Sequence, residues 1–413
     1  MEVWHRRQLG EVATLSGRIG WRGLTAKEYK HEGPWFLSVH SLNHGDYVDF
    51  REAFHISQER YDESPEIMLR RGDVLICKDG AGIGKMGIVG ELPGPATINS
   101  SLLLIRAGEH LRPKFLYHCL CSPYFQRIVQ SRLNGATTPH LYQRDITEFP
   151  VVIPPIVDQN RIVAILDEAF EGIAAAKANT EKNLQNAREL FDAVQRELLA
   201  DAARRSEMRE LQSLCAVFFD SAHRTPKYQA EGIPALRPRD VVNGVLTLSA
   251  SARVSEQEYE VQSKRYKPRS GDIVYSRELS YGWAAIIPPS TTVCLSQGMC
   301  IFRPVDGTSP RFLWRILNGP LGRDQAHQAA VGTAHPHINL GEIKAYRIPY
   351  LPDEQQRSLV DSLDEIESEV KSLESLGRRK LARLDELKQS LLHRAFSGAL
   401  TTKAAHKQLA TAA

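Results

Sequence analysis

Two stretches of the chain repeat apolar residues at steps of three and four. In the first, Ile162, Leu166, Ala169, Ile173, Ala176, Thr180, Leu184, Ala187, Phe191, Val194 and Leu198 form the series. In the second it runs through Leu359, Leu363, Ile366, Val370, Leu373, Gly377, Lys380, Leu384, Leu387 and Leu391. A narrow seam held over several heptads predicts coiled-coil helices of about 40 residues, roughly 60 Å each. Two separate amphipathic helices, each lying on its own domain, would show a wider stripe and end sooner. Both seams weaken near their middles, at Thr180 and Gly377. In an antiparallel pair, middle faces middle, so the helices are expected to cross near these two residues.

The rest of the chain alternates short aliphatic runs with Gly- and Pro-rich breaks. "DVLICK" and "SSLLLIR" are strand candidates, and "DIVYSR" and "GMCIFR" take their places about 200 residues later. The segments 113–133 and 310–330 are apolar at helical spacing, and each begins at a proline suited to a first helical turn. "GATTPHLYQRDITEFPVVIPPIVDQNRIVAILDE" is answered by "GTAHPHINLGEIKAYRIPYLPDEQQRSLVDSLDE" at an offset of 197. Gly72-Asp73 is answered by Gly271-Asp272 at 199. This is one duplication of a large two-part unit, far from the 20–50-residue period of solenoids.

The expected class is α+β. Two mixed α/β domains, 1–155 and 206–352, are separated by long helices at 156–205 and 353–397 that form an antiparallel coiled coil. The repeat is pseudo-twofold, and residues 398–413 are expected to be a disordered tail.

Net charge sharpens this picture once it is divided. Segments 156–202 and 353–395 carry −4 and −2, so the chain's total of +3 leaves +9 for the remainder. Basic charge concentrated outside the helices suits a polyanionic partner. No run of 18 apolar residues predicts a membrane span, and "MEVWHRRQLGEV" has no apolar leader core, so a cytoplasmic protein is expected. The six cysteines, at 77, 119, 121, 215, 294 and 300, have no zinc-ligand spacing. They are read as reduced thiols, with Cys119 and Cys121 in a core.

Catalytic motifs are missing from the pattern. Gly80 to Gly84 encloses three residues where a phosphate-binding loop needs four, and Met86 follows Lys85 where Mg²⁺ needs a hydroxyl. No His-Glu-x-x-His sequence is present, nor an amino-methyltransferase Asp/Asn-Pro-Pro-Tyr/Phe motif. Glu386 and Lys388 have a nuclease-like spacing but lie on the heptad helix, where such pairs are ordinary surface. No catalytic residue and no metal site is expected.

In combination the repeated motifs resemble the specificity subunits of type I restriction–modification systems over about residues 1–400. The shared features are the Gly-Asp-aliphatic strand, the Gly-x-x-x-Pro-His segment, and an aliphatic-Pro stretch leading through a Gln-rich turn into a long helix. The turn departs from the family pattern at Asp158 and at the lone Pro352. The resemblance implies a non-catalytic subunit whose two domains each read half of a split DNA target. The helices would set the half-site spacing and dock two methyltransferase subunits that use S-adenosylmethionine. Two restriction subunits, with ATP and Mg, would be optional further partners.

Base edges are read by paired donors and acceptors, and phosphates are gripped by Lys and Arg. Candidates in the first domain are Lys78, Asp79, Lys85, Asn99, Thr137, Thr138 and His140. In the second they are Arg277, Glu278, Tyr281, Gln297, His335 and His337, with Lys264, Arg265 and Lys267 as a phosphate grip. The Pro-His pairs recur in both copies, whereas base readers of unlike half-sites should differ. His140 and His337 are therefore weighed as structural or phosphate-binding residues. Two other readings stand beside this one: a coiled-coil scaffold with basic domains for another acidic partner, and an enzyme with an unrecognised site.

Overall fold

The computed structural model describes residues 5–18, 24–133, 140–222, 224–397 and 399. The expected tail lies outside these residues apart from Ala399. Packing divides the chain into one unit of residues 1–180 with 379–413 and a second of residues 181–378. Each unit therefore takes part of both long helices.

The first unit is built on a four-stranded antiparallel sheet in the order Ala13–Gly17, Leu102–Ala107, Val74–Cys77, Met86–Ile88. A second, three-stranded sheet places Lys30–Leu37 between Phe54–His55 and Ala96–Ile98. Alternate residues of the central strand point to opposite faces. Val74 and Ile76 join the core formed with Phe115, Leu116, Ile162 and Leu166, while Leu75 and Cys77 pack with Leu37 and Ile98. Burial on both faces explains why "VLIC" is apolar without alternation. The second unit repeats the plan with Cys215–Asp220, Met299–Pro304, Ile273–Ser276 and Ala284–Ile286. In each unit a short outer strand closes the domain beside the helix entry: His5–Gln8 pairs with Pro150–Ile153, and Glu207–Glu210 pairs with Arg347–Tyr350.

The segments read as single helices are each two. Pro113–Cys121 and Pro123–Leu133 are separated at Ser122, and Pro310–Asn318 and Pro320–Ala329 at Gly319. The second proline lacks an N–H and its ring excludes the preceding turn, so it begins a new helix in each case.

The long helices are Ile156–Arg205 and Asp353–Phe396, longer than the heptad seams because their ends continue into the domain cores. Gln159 and Ile162 are buried at one such end and Leu391, Leu392 and Ala395 at another. They pair as an antiparallel coiled coil within each unit. In the first, Lys177 bonds Asp385 and the Lys388 ammonium lies 4.8 Å from the Phe170 ring centre. In the second, Arg188 Nε donates to Glu374 Oε1 at 2.6 Å, and Gly377 backs onto Leu184.

The second seam departs from its expected phase. Leu373, Lys380 and Leu387 are exposed, and Glu374, Leu381 and Lys388 take the inward positions. The partner helix decides this. Glu374 gains Arg188 and the Lys388 ammonium gains the Phe170 ring, so the adjacent leucines are left outside.

Candidate nucleic-acid interface

In both units one end of the central sheet is tied to the Pro-His segment by main-chain hydrogen bonds. In the first, Leu141 N–H donates to Lys78 O at 2.9 Å, and Asp79 bridges His140. In the second, Ile338 N–H donates to Arg277 O at 2.8 Å, and Glu278 bridges His337. The loop that follows Cys77 folds back so that Gly84 N–H reaches Cys77 O at 2.8 Å. Gly84 has φ +82°, and a Cβ there would lie 2.5 Å from Val129 Cγ1, so the turn requires glycine.

This geometry gathers the described candidates of the first unit. Lys78 Nζ donates to Asp79 Oδ2 at 2.6 Å, and His140 Nδ1 bonds the other oxygen of the same carboxylate. Burial raises the Asp79 pKa, but the bonds from Lys78 and His140 outweigh it and hold the carboxyl below its usual range. His140 also stands edge-on to the Tyr142 ring. Lys85 Nζ donates to Asn43 Oδ1 at 2.7 Å, and Asn99 Oδ1 accepts from Ser101 N–H at 3.1 Å. Thr137 and Thr138 lie outside the described residues.

The second unit gathers its candidates differently. Arg277 is offered as a base reader by the sequence but is buried. Its Nε donates to Asp220 Oδ1 at 3.0 Å and its Nη1 to Ile338 O at 3.3 Å. Tyr281 Oη lies 3.1 Å from His327 Nδ1. His337 Nδ1 lies 3.2 Å from His335 O, a carbonyl that can only accept, so this nitrogen carries the proton. Gln297 and His335 are exposed. Lys264, Arg265 and Lys267 lie on a separate segment after the Glu256–Gln262 helix. Lys267 is bound to Glu260 at 2.6 Å and lies over the Tyr259 ring. Lys264 and Arg265 face a cleft of about 370 Å³ that sequence reasoning missed, lined also by Phe219, Ser221, Arg224 and Tyr266. One local signal existed. Register puts "SKRYKPRSGD" opposite "SPEIMLRRGD" at an offset of 199, so a basic, aromatic stretch replaces a charge-balanced, aliphatic one.

The framework is copied more faithfully than these loops. Arg106 Nε donates to buried Asp73 at 2.7 Å, and Arg303 Nε to buried Asp272 at 2.8 Å. Asp167 receives Lys114 and His118, and Asp364 receives Arg311 and Arg315. Cys119 is buried in the first core and Cys121 packs against it, and burial pushes both thiols up to about 12. Among the described residues no cluster of three metal-ligating side chains occurs, and no helix is long and apolar enough to cross a membrane.

The sequence model of the type I restriction modification DNA specificity domain matches residues 1–186 and again 204–380, one match for each copy. The chain belongs to this family. Among similar members is the specificity subunit of the Escherichia coli type I restriction enzyme EcoBI. It is 24% identical over 340 residues, which cover 75% of this chain and 70% of that one. The MjaVIII specificity subunit of Methanocaldococcus jannaschii is 18% identical over 357 residues, 82% and 81% of the two chains. A chain from a structure describing assembly and conformational transition of a type I restriction–modification system has a TM-score of 0.75 at 20% identity, covering 96% of this chain and 98% of that one. The HsdS subunit of Thermoanaerobacter tengcongensis has a TM-score of 0.62 at 19% identity, covering 96% and 97%. Both structural likenesses establish the specificity-subunit fold across nearly the whole length.

Proposed function

We propose that this chain is the DNA-reading subunit of a type I restriction–modification complex. Each unit reads one half of a bipartite target, and the long helices fix the spacing and dock two methyltransferase subunits. The observation that carries this reading is the double match of the specificity-domain model, once in each copy. The internal comparison supports it: the buried joints recur while the loop side chains differ, as two unlike half-sites require. Leu190, Leu373 and Leu376 are exposed on the helices of the second unit, the kind of apolar surface that a protein partner covers. No observation favours the scaffold reading.

The chain supplies recognition and no chemistry. The methyl donor, S-adenosylmethionine, belongs to the methyltransferase subunits, which act on adenine. ATP and Mg belong to restriction subunits where the system has them. The complex works on DNA in the cytoplasm. The test is a genome-wide map of methylated adenines made with this chain and again after residues 206–352 are exchanged for those of another member. A bipartite motif that changes in one half only is the expected result. A chain that binds no methyltransferase subunit and directs no methylation to a bipartite sequence overturns the proposal.

A further inference from the structure

Strand register aligns the two units residue by residue. Gly17 pairs with Leu103 and Asp220 with Cys300 on equivalent strands, so Arg18 is the counterpart of Ser221. Phe36 pairs with Thr97 and Ala235 with Cys294, so Phe36 is the counterpart of Ala235. In the first unit Arg18 is buried. Its Nε donates to Ile98 O at 3.2 Å, its Nη2 to Thr97 Oγ1 at 3.5 Å, and its guanidinium lies 5.6 Å from the Phe36 ring centre. A flat group rich in N–H donors fills that space. In the second unit the counterpart of Arg18 is the small Ser221, which lines an open cleft, while Ala235 is buried in the core with Val254 and Tyr259.

The open cleft has the features of a ligand site. Ser221 is 4% exposed, and its Oγ has no hydrogen-bond partner among the described residues. Gln262 Oε1 is likewise buried and unpartnered. Gln262 Nε2 donates to Glu258 Oε1 at 2.8 Å, which fixes the amide orientation and leaves the acceptor oxygen unused. Buried polar atoms are normally satisfied, and these two orphans belong to residues that line one cleft. Phe219 and Tyr266 stack at 5.3 Å with planes 22° apart and form an aromatic wall. Lys264 and Arg265 are exposed and make no ion pair among the described residues. A volume of about 370 Å³ lies in the range of small-ligand pockets.

We propose that this cleft holds one nucleotide whose base presents, on its Watson–Crick edge, an exocyclic amine beside an unprotonated ring nitrogen, adenine or cytosine. The amine donates to Gln262 Oε1, a ring nitrogen accepts from the Ser221 hydroxyl, and the phosphate meets Lys264 and Arg265. The base takes the place that the Arg18 guanidinium fills in the first unit, and aromatic side chains flank it. Thymine has no such amine, and guanine carries a proton on the ring nitrogen beside its amine on that edge, so both are excluded. The nucleotide is either one unstacked from bound DNA or a free one. Only the first source rests on the DNA-reading function proposed above.

Equilibrium dialysis of the full-length chain against dAMP, dCMP, dTMP and inorganic phosphate is the first arm of the test. The second is a methylation map of the assembled complex. The variants are Gln262→Met, Ser221→Ala and Ser221→Arg, the last restoring the side chain that the first unit carries. The expected result is that dAMP or dCMP binds at least tenfold tighter than dTMP or phosphate, and that each variant loses at least tenfold. A change at one position of one half-site in the variant map, with or without free-nucleotide binding, supports a base drawn from DNA. Lost dAMP or dCMP binding with an unchanged map supports a free nucleotide. Equal binding of dTMP, changes in both half-sites, or no nucleotide binding together with an unchanged map overturns the proposal. Thermal melting identifies any variant that fails to fold, and the remaining two then decide. A wild-type complex that methylates no bipartite site would sink the function proposed above, while dialysis still decides the cleft.

Discussion

Gln159 and Gln356, 197 positions apart, close the same three hydrogen bonds, each in its own unit. The oxygen of Gln159 accepts from Arg112 N–H, and its Nε2 donates to His110 O and Pro154 O, at 2.8, 2.9 and 2.9 Å. Gln356 repeats this with Ser309 N–H, Gly307 O and Leu351 O, each at 2.8 Å. Both side chains are buried in the first turns of the long helices. Each joins the helix entry to the loop ahead of the Pro113–Cys121 or Pro310–Asn318 helix. Gln159→Ala or Gln356→Ala leaves main-chain groups unpaired and is expected to destabilise its unit by about 2–4 kcal/mol, read as a lower urea midpoint.

Asp272 is fully buried and accepts from Arg303 Nε, Tyr266 Oη and Arg269 N–H. Burial and this neighbouring carboxylate together push the Tyr266 hydroxyl above the usual tyrosine range. Asp272→Asn removes the charge and leaves Arg303 without its partner. The expected loss is about 3 kcal/mol by denaturant unfolding. Tyr266 loses its anchor at the cleft as well, so nucleotide binding should fall in parallel.

His118 makes the first unit sensitive to acid. Burial pushes its pKa down, against the pull of Asp167 at 3.0 Å and of Asp46, while Lys114 adds to the lowering. With the native pKa below the unfolded one, the unfolded chain takes up a proton that the native state refuses as pH falls through about 6.5. This contribution to stability is present above that pH and is lost below it. The urea midpoint of the first unit should fall between pH 7.5 and 5.5, and His118→Gln should flatten the slope. Arg315 holds the equivalent place in the second unit, which should lack this term.

A Cβ at Gly377 would lie 2.6 Å from Leu184 Cδ2 and 2.9 Å from its Cγ. Gly377→Ala gains helix propensity of about 1 kcal/mol but forces Leu184 to move. A net destabilisation of about 1 kcal/mol is expected. Adding Leu184→Ala relieves the contact, so a double-mutant cycle should give a favourable coupling between the two changes.

Seven residues inserted in register into both long helices add about 10 Å, equal to about three base pairs of duplex. The methylation map should then show a longer spacer between unchanged half-sites. An unchanged spacer would remove the ruler role from the proposed function.

The duplication, the two long helices and the strands around Val74–Cys77 and Ile273–Ser276 were legible because their signals are local. Heptad spacing, a Gly-Asp turn and a short β-branched run carry their meaning within a few residues. The break at Ser122 was equally local, set by Pro123. Arg277 was misplaced for a different reason. A cation in a loop reads as a contact for phosphate or base, and only Asp220 on a distant strand shows that it is committed inside.

Sequence alone determined that this protein is one unit written twice and joined by helices, because periodicity and repetition survive drift in individual side chains. Tertiary structure decided which residues those patterns leave available. It put Glu374 rather than Leu373 into the seam, buried Arg277, and opened beside Ser221 a space that Arg18 closes in the other copy. Each outcome depends on a partner remote in sequence, and a side chain's exposure is a property of what packs against it.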